Sequence, residues 1–371
     1  MIYLKIALVH DWLSVDAGAE KCLKEFNSLY SNASVYSIVD FLSDRDRESI
    51  LNSKKTKNTF IQKLPFAKKY FRKYLPFFPM AIESLNLKGY DVVLSDSYAF
   101  AKGVLPVDNQ LHICYCHTPM RFIWDLYFDY LADYGVQNSI FSPLIKQQLY
   151  KLRTWDIISS NRVDFFIANS KYVQKRIKRI YRRDSVVIYP PVDTEFFECY
   201  EKKEDFYLVV SRLVPYKKSD LVVKAFNQLD KKLVVIGAGD GFEEIERIAG
   251  DNISLLGYQS KESIRDYMQR AKGFVFAGLE DFGIVMAEAQ SCGTPVICLD
   301  RGGSSEIVVD GISGVYFSKQ SEENIVNAIK RFESISFDYK AISINAKRFS
   351  VKRFRDEIEK FVKERYIESK S

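Results

Sequence analysis

Short apolar segments alternate with amphipathic segments along most of the chain. Runs typical of buried strands lie at 4–9, 35–39, 90–95, 111–116, 163–168 and 186–189. Segments with helical spacing lie between them, for example at 19–30 and 171–183. An alternation of strands and helices predicts parallel sheets covered by helices, which is the α/β class.

The same alternation starts again in the second half of the chain. The strands predicted there are 206–210, 233–236, 253–256, 274–276 and 296–299. We therefore predict two doubly wound, Rossmann-like domains, at 1–191 and 206–349. Residues 192–205 contain proline and charged residues without periodicity, so we expect them to connect the domains. Residues 350–371 carry apolar residues at helical spacing and should form a final helix that packs through one face.

The most informative stretch is 273–300, where a short strand, a tight loop and a helix follow one another. The free backbone N–H groups at such a helix start favour a phosphate. Glu280 lies in the loop and Glu288 in the helix, and carboxylates accept hydrogen bonds from hydroxyl groups. These features predict a ligand with a phosphate in its middle and hydroxyls at both ends. A nucleotide-sugar fits, with Glu280 at the sugar and Glu288 at the ribose.

The two glutamates, separated by seven residues that include Phe282-Gly283, resemble the signature of the retaining glycosyltransferase family 4. The resemblance implies the GT-B fold, with two domains facing across a cleft and the C-terminal helix crossing back to the first. It implies a donor held mainly on the second domain and an acceptor mainly on the first. Glu280 becomes a predicted catalytic-site residue, better placed to bind than to attack, and Glu288, Asp281, Phe282 and Gly283 become predicted substrate-binding residues.

Two cations lie five residues apart on the loop before the helix predicted at 220–228. An arginine and a lysine so placed can clamp a diphosphate leaving group. The resemblance makes Arg212 and Lys217 that pair, and they would replace a metal ion in stabilising the leaving group. Lys218 stands where the family usually has glycine, so either lysine could contact the diphosphate.

Glycines near helix starts are further candidates. Gly18 precedes the helix at 19–30, in a loop that faces the donor diphosphate in family members; many carry two glycines where this chain has Ala17-Gly18. Gly237 opens the run Gly-Ala-Gly-Asp-Gly after a predicted strand. That run departs from a dinucleotide fingerprint because Phe242 occupies the third glycine position. Gly237 therefore stays a candidate for close ligand approach or for tight packing.

His117 follows the strand at 111–116 and precedes a proline-containing loop, so it can face a crevice. The segment 117–125 resembles the loop of bacterial polysaccharide mannosyltransferases, such as those of O-antigen synthesis. There the histidine faces the reacting sugar and the acceptor side. The resemblance thus implies His117 as a catalytic-site residue, GDP-mannose as donor and a lipid-linked saccharide as acceptor. Arg121 and Asp125 are weaker candidates.

A metal site and a disulfide framework are both disfavoured. Asp44-Arg45-Asp46 matches an acid–x–acid pattern used by metal-dependent glycosyltransferases, but no apolar strand precedes it, and a solvated turn is the favoured interpretation. Six scattered cysteines indicate free thiols in a reducing compartment. We expect no metal and no cofactor besides the nucleotide-sugar.

Two other classes stay open. A nucleotide-sugar 2-epimerase of the same fold would share the anion sites, but it needs acid–base carboxylates that the sequence does not reveal. A nucleic-acid-binding protein would fit the net charge of +6, but not two glutamates in the best-formed crevice. We therefore expect no nucleic-acid partner.

The segment 54–78 mixes basic and aromatic residues, and 49–82 contains no acidic residue. This composition predicts a surface that rests on an anionic bilayer. The alternative is a solvated basic helix whose aromatic residues belong to the core of the first domain. With no run of eighteen apolar residues and no basic leader, we expect a cytoplasmic protein bound peripherally to the inner face of the membrane.

Overall fold

The computed structural model describes residues 4–107, 109–133, 135–136 and 139–371. Two compact units can be distinguished: the first comprises Met1–Pro191 with Phe354–Ser371, and the second comprises Val192–Arg353. The segment 192–205, for which we predicted a connecting role, groups with the second unit.

The first unit is built on a sheet of seven parallel strands: β1 (Ile6–His10), β2 (Ser34–Ser37), β3 (Lys57–Asn58), β4 (Val92–Ser97), β5 (Leu111–Cys116), β6 (Phe165–Ala168) and β7 (Ser185–Val187). Their order across the sheet is β3-β2-β1-β4-β5-β6-β7. The direction of the winding reverses between β1 and β4. In such sheets, ligands bind outside the carboxyl ends of the strands at this switch point.

Helices cover both faces of this sheet: α1 (Gly18–Leu29), α2 (Asp44–Leu51), α3 (Ala67–Tyr70), α4 (Phe78–Glu83), α5 (Tyr127–Asp133), α6 (Ser142–Ser160) and α7 (Lys171–Tyr181). Successive residues of β1 point to opposite faces. Ala7 and Val9 join one buried core, to which α4 and α6 contribute. Ile6 and Leu8 join the other, to which α1 and α2 contribute.

The second unit repeats the scheme with six parallel strands: β8 (Glu204–Val210), β9 (Leu233–Ile236), β10 (Ile253–Leu255), β11 (Ala271–Phe276), β12 (Val296–Leu299) and β13 (Gly314–Phe317). Their order is β10-β9-β8-β11-β12-β13, so the switch point lies between β8 and β11. The helices are α8 (Ser219–Phe226), α9 (Phe242–Ile248), α10 (Lys261–Arg270), α11 (Ile284–Ser291), α12 (Ser304–Ile307), α13 (Glu322–Glu333) and α14 (Tyr339–Ala346).

The last helix, α15 (Val351–Lys370), packs on the first unit from Phe354 onward. Its buried side chains Phe354, Ile358 and Phe361 join the core formed with α1 and α2. The Phe354 ring lies 5.4 Å from that of Phe26 and 5.7 Å from that of Tyr115. The apolar face expected for this helix is therefore the face that it buries.

The interpretation of Asp44-Arg45-Asp46 as a turn is wrong, because these residues begin α2. Ser43 caps the helix: its side-chain oxygen accepts a hydrogen bond from the backbone N–H of Asp46 at 3.1 Å. The two acids of the first turn therefore suit the positive end of the helix dipole. The pattern has a local structural explanation.

Candidate active site

At the switch point of the second unit, the loops after β8 and β11 bring Lys217 and Glu280 together. The ammonium group of Lys217 donates a hydrogen bond to Oε1 of Glu280 and forms an ion pair with it. Both side chains are largely buried, at 19% and 16% exposure. Gly278 lies against the backbone of Lys217, and a side chain at that position would press on it. Two residues 63 positions apart thus form one cluster.

Lys218 lies next to this cluster in a special backbone conformation. Its φ of +57° is left-handed, a region that suits glycine. A glycine at this position would adopt the same conformation without strain. Lys217 instead ends a short 3-10 turn, Pro215–Lys217, with its ammonium group 5.6 Å from the ring centre of Phe276. The geometry thus favours Lys217 over Lys218 as the cluster's cation.

Arg212, the other predicted clamp residue, lies on the same loop after β8. Its guanidinium group is exposed and makes no hydrogen bond or ion pair with any residue that the structure describes. An arginine presents five N–H donors in a planar fork that suits phosphate oxygens. Arg212 can therefore bind an anion without first breaking an ion pair.

The backbone around Glu280 is held by glycines at 302 and 303. The N–H of Gly303 donates to the carbonyl oxygen of Glu280 at 2.9 Å, and Gly302 is left-handed with φ +78°. A side chain on Gly303 would overlap the backbone of Phe282. Phe282 itself is buried, and its ring packs 5.3 Å from that of Phe349. These two glycines therefore shape the loop that carries Glu280.

The other predicted binding residues of this unit lie near the same edge of the sheet. Gly283 is left-handed, with φ +93°, and immediately precedes α11. Asp281 is half-buried in the same loop, whereas Glu288 lies on α11 with only 5% exposure. Gly237 follows β9 with φ +150°, and a side chain there would overlap the carbonyl oxygen of Ser211. Tight packing accounts for that glycine.

At the switch point of the first unit, four side chains form a continuous chain of polar contacts. His117, just after β5, places Nε2 at 2.6 Å from Oδ1 of Asp96. Oδ2 of Asp96 lies 2.9 Å from Nδ1 of His10, and Nε2 of His10 lies 3.4 Å from Oε1 of Glu20. His117 retains 12% exposure, whereas the other three are buried. The sequence pointed to His117 but not to its three partners, which lie on separate elements: His10 on β1, Asp96 on β4 and Glu20 on α1.

Burial lowers the pKa of His10, but hydrogen bonds and charge interactions with Asp96 and Glu20 outweigh it and raise the pKa to about 10. Burial likewise raises the pKa of Asp96, but the charges and hydrogen bonds of His117 and His10 outweigh it and hold the pKa below its usual value. The cluster therefore contains a histidinium next to an ionised carboxylate at neutral pH.

The loop containing Gly18 is linked to this cluster. Gly18 is the exposed first residue of α1, and the N–H of Ala17 donates to Oε2 of Glu20 at 3.2 Å. Asp11, also buried, accepts hydrogen bonds from four successive backbone N–H groups, at residues 98–101. Asp11 therefore fixes the segment directly after β4, the strand on which Asp96 lies.

The loop 117–125 is held by an arginine of α7 that the sequence did not single out. Arg176 is buried and donates to Oγ1 of Thr118, to the carbonyl of Pro119 and to Asp125. Asp125 also lies 3.8 Å from Arg121. Arg121 and Asp125 thus belong to a network that fixes the loop.

Comparison with known proteins now bears on these two clusters. Residues 192–349 match a family described as "Glycosyl transferases group 1", and residues 38–196 match "Glycosyltransferase Family 4". The first match contains Lys217 and Glu280, and the second contains Asp96 and His117. The chain is a glycosyltransferase of the GT-B type.

Individual relatives agree with this assignment. The glycosyltransferase is 27% identical over 308 residues to an uncharacterized glycosyltransferase of Methanocaldococcus jannaschii, covering 80% of this chain and 81% of that one. It is 26% identical over 201 residues to the GDP-mannose-dependent alpha-(1-6)-phosphatidylinositol monomannoside mannosyltransferase of Mycolicibacterium smegmatis, covering 46% of this chain but only 53% of that protein.

Among solved structures, Anabaena HepE in complex with UDP and glucose superposes with a TM-score of 0.73 at 18% identity. The superposition covers 97% of the glycosyltransferase and 100% of HepE. The fold class is therefore confirmed: both units have the parallel-sheet architecture of GT-B proteins.

The basic and aromatic segment 54–78 of the glycosyltransferase divides into two groups. Phe71 and Phe78 are buried, so part of the alternative interpretation as core aromatics is correct. Phe66 is 81% exposed and Phe77 49% exposed. The exposed cations of the segment are Lys55, Lys57, Lys63, Lys68, Lys69, Arg72 and Lys73.

Within the described ranges, no group of three or more His, Cys, Asp or Glu side chains is arranged to hold a metal ion. None of the helices described is both long enough and apolar enough to cross a membrane.

Proposed function

We propose that this glycosyltransferase moves mannose from GDP-mannose, with retention of configuration and without a metal, to a hydroxyl of a lipid-linked saccharide. We place this reaction at the inner face of the cytoplasmic membrane, in cell-surface polysaccharide assembly. The observation that carries the proposal is the Lys217–Glu280 pair at the switch point of the second unit.

The diphosphate is assigned to Arg212 and Lys217. Arg212 is exposed, and Lys217 lies in a mostly buried cluster, where its charge is less screened by water. An ammonium group has three donor hydrogens, so Lys217 can keep Glu280 and still donate to a diphosphate oxygen. These two cations would stabilise the negative charge that grows on the leaving group, as a metal ion does elsewhere.

The sugar and ribose hydroxyls are assigned to Glu280 and Glu288. A carboxylate fixed by a neighbouring ammonium group is held in one orientation, which suits recognition of a particular hydroxyl. Asp281, Phe282 and Gly283 would shape the same subsite, with Gly237 at its edge. His117 and Gly18, on the first unit, would face the reacting sugar and the acceptor side.

The donor is assigned from the resemblance and from the relatives. GDP-mannose is favoured by the resemblance of 117–125 to mannosyltransferase loops and by the donor named for the Mycolicibacterium smegmatis relative. Anabaena HepE was solved with UDP and glucose, which names a competing donor class. A direct comparison of nucleotides is therefore the first experiment.

The membrane role rests on the exposed half of the segment 54–78. Phe66 has a left-handed backbone, with φ +56°, and is 81% exposed. Such a conformation costs a non-glycine residue roughly 1–2 kcal/mol, so both the strain and the exposure oppose stability. Insertion of Phe66 into a bilayer would offset this cost, with the surrounding cations at the headgroups.

The test is a thermal melt with GDP, UDP, ADP or a single-stranded oligonucleotide, each in excess chelator, followed by transfer from GDP-mannose to bacterial lipid extract. We expect the largest rise in melting temperature with GDP, and a glycolipid product with the anomeric configuration of the donor. Conversion of a UDP-sugar without acceptor would establish an epimerase instead. A melt shifted only by the oligonucleotide would establish a nucleic-acid-binding protein.

A further inference from the structure

The chain Glu20–His10–Asp96–His117 lies at the carboxyl ends of β1, β4 and β5. It is the most extensive set of titratable side chains at this switch point that the described residues form. Its members come from four separate elements, and only His117 reaches solvent. Each buried charge costs stability unless it is fully paired. The burial of these ionisable groups side by side therefore calls for an explanation.

The positions of the imidazole hydrogens of His10 and His117 can be assigned from the carboxylates that the ring nitrogens face. An ionised carboxylate only accepts hydrogen bonds. Asp96 faces Nδ1 of His10 at 2.9 Å and Nε2 of His117 at 2.6 Å, so both nitrogens must carry hydrogens. Nε2 of His10 faces the Glu20 carboxylate at 3.4 Å and must carry one as well. His10 is therefore doubly protonated, and His117, when neutral, carries its hydrogen on Nε2.

This assignment leaves Nδ1 of His117 as an acceptor. It makes no hydrogen bond with any residue in the described ranges, and its side chain is the exposed end of the chain. The ring packs edge-to-face with the rings of Tyr115 and Tyr98, whose centres lie 5.1 and 6.3 Å away. A hydrogen-bond acceptor fixed in direction suits a hydroxyl donor, which every saccharide offers.

We propose that Asp96 is the positioning residue for His117, and that the buried Glu20–His10 pair keeps Asp96 ionised and oriented so that Nδ1 of His117 accepts a hydrogen bond from a saccharide hydroxyl. The saccharide part of this inference rests on the proposed function, whereas the tautomer of His117 does not.

The other titratable groups around the chain do not supply a competing charge pair. The thiol of Cys22 and the hydroxyl of Tyr98 are buried, and burial raises the pKa of each well above its ordinary value, so both are neutral. Tyr115 donates its hydroxyl hydrogen to the carbonyl of Ile188. Asp11 is occupied by four backbone N–H groups.

The protein contains only three histidines. Their protonation states can therefore be tested directly by ¹⁵N NMR of the imidazole groups in the full protein. His112 is an internal reference: its Nδ1 faces the carbonyl of Arg162 at 3.1 Å and its Nε2 faces the hydroxyl of Ser95 at 2.9 Å. We expect three different states near pH 8: His10 doubly protonated, His112 neutral with hydrogen on Nδ1, and neutral His117 with hydrogen on Nε2.

Three variants test the hydrogen bonds of these histidines one at a time. Asp96→Asn should lower the pKa of His10 and remove the fixed tautomer of His117. Glu20→Gln should lower the pKa of His10 while His117 keeps its hydrogen on Nε2. Ser95→Ala, the matched control on the same strand, should change only the signals of His112. If Asp96→Asn does not fold, the wild-type and Glu20→Gln spectra still decide the matter.

In transfer assays from GDP-mannose, Asp96→Asn should lower kcat roughly tenfold to a hundredfold, the usual loss when an orienting partner is removed. GDP affinity should change less than twofold. A neutral His10 near pH 8, a wild-type His117 with hydrogen on Nδ1, or an unchanged His117 in Asp96→Asn would overturn the inference. Failure of wild-type transfer from GDP-mannose, with the NMR result as expected, would instead count against the proposed donor and leave the positioning of His117 established.

Discussion

The clusters at the two switch points are built by different means. In the first unit, buried side chains hold the partly exposed His117: His10, Asp96 and Glu20 pair their charges out of contact with water. In the second unit, backbone contacts hold the side chains of the site in place: Gly302 and Gly303 fix the loop of Glu280, and Gly278 lies against Lys217. The exposed cation there, Arg212, has no ion-pair partner among the residues described.

This difference matches two chemical tasks. An acceptor group such as a histidine nitrogen needs a fixed tautomer, which the hydrogen bond made by the other ring nitrogen sets, here the bond from His117 to Asp96. A diphosphate carries its own charge and needs accessible cations and close backbone approach. The comparison predicts that charge substitutions disturb protonation in the first unit and anion binding in the second.

The largest expected effect is in the cationic clamp. Arg212→Ala or Lys217→Met should lower turnover on the order of a hundredfold or more, because the leaving diphosphate loses a stabilising cation. The measurement is release of nucleotide from the donor in excess chelator. Lys218→Met is the matched control and should have little effect. Activity lost on chelation and restored by magnesium or manganese would contradict the metal-free mechanism.

The next effect separates the two glutamates. Glu280→Ala should reduce transfer strongly while nucleotide binding survives, whereas Glu288→Ala should weaken nucleotide binding. A lost hydrogen bond to a bound hydroxyl costs about 1–3 kcal/mol, and more when a charged group made it. Calorimetric nucleotide titration and turnover should be measured on both variants. Near-wild-type turnover of Glu280→Ala would show that the sugar is misplaced.

The role of backbone in the second unit can be tested with two left-handed glycines. Gly302→Ala and Gly257→Ala both strain a positive φ, but only the first would also crowd the carbonyl of Glu280. Each should lose roughly 1–3 kcal/mol of unfolding free energy from strain. Only Gly302→Ala should also lose turnover. Equal turnover in the two variants would mean that this turn does not shape the site.

The two buried histidines of the first unit predict opposite pH dependences of stability. The folded pKa of His10, about 10, lies above the unfolded value, so its contribution is complete below about pH 6.5 and is lost as the pH rises toward 10. The pKa of His112 is lowered by burial to about 4, so its contribution is present above about pH 6.5 and is lost as the pH falls toward 4.

Urea unfolding from pH 4 to 10 measures both limbs. His10→Gln should flatten the alkaline limb, and His112→Asn should flatten the acid limb. Stability that does not decline between pH 7 and 10 in the wild type would contradict a charged His10.

The smallest expected effect per residue is at the membrane surface. Changing Lys68, Lys69, Arg72 and Lys73 to Ser should release the protein from anionic vesicles and leave donor binding intact, since each cation contributes roughly 1 kcal/mol. Binding should also weaken with salt. Removing four exposed cations of another surface, at Lys175, Lys178, Arg179 and Arg182, is the charge-matched control. Equal binding to neutral and anionic vesicles, or release by both variants, would contradict a specific membrane surface.

Much of the fold could be predicted because strand and helix periods are local properties of the sequence. Strands β5, β9 and β12 have the predicted bounds, since each is a buried apolar run. Strand β13 was missed because its apolar run follows a glycine-rich turn without clear alternation. The basic helix considered for 54–78 is in fact a series of short helical segments, because proline and aromatic residues break the helical period.

The candidate site divides in the same way. Glu280, Lys217 and His117 could be found because each follows a strand within a recognisable loop. The partners Asp96, His10 and Arg176 could not, because their roles depend on which strands and helices become neighbours. The role of Gly302 likewise depends on contact with a loop 22 residues earlier in the chain.

If the second unit binds the donor while the first positions His117, substitutions in the two units should affect nucleotide affinity differently. Calorimetric titration of GDP into the wild type, Arg212→Ala and Asp96→Asn measures this difference. Binding by Arg212→Ala should be at least tenfold weaker, and binding by Asp96→Asn should stay within twofold of the wild type. Wild-type affinity in Arg212→Ala, or an equal loss of affinity in both variants, would contradict this division between the units.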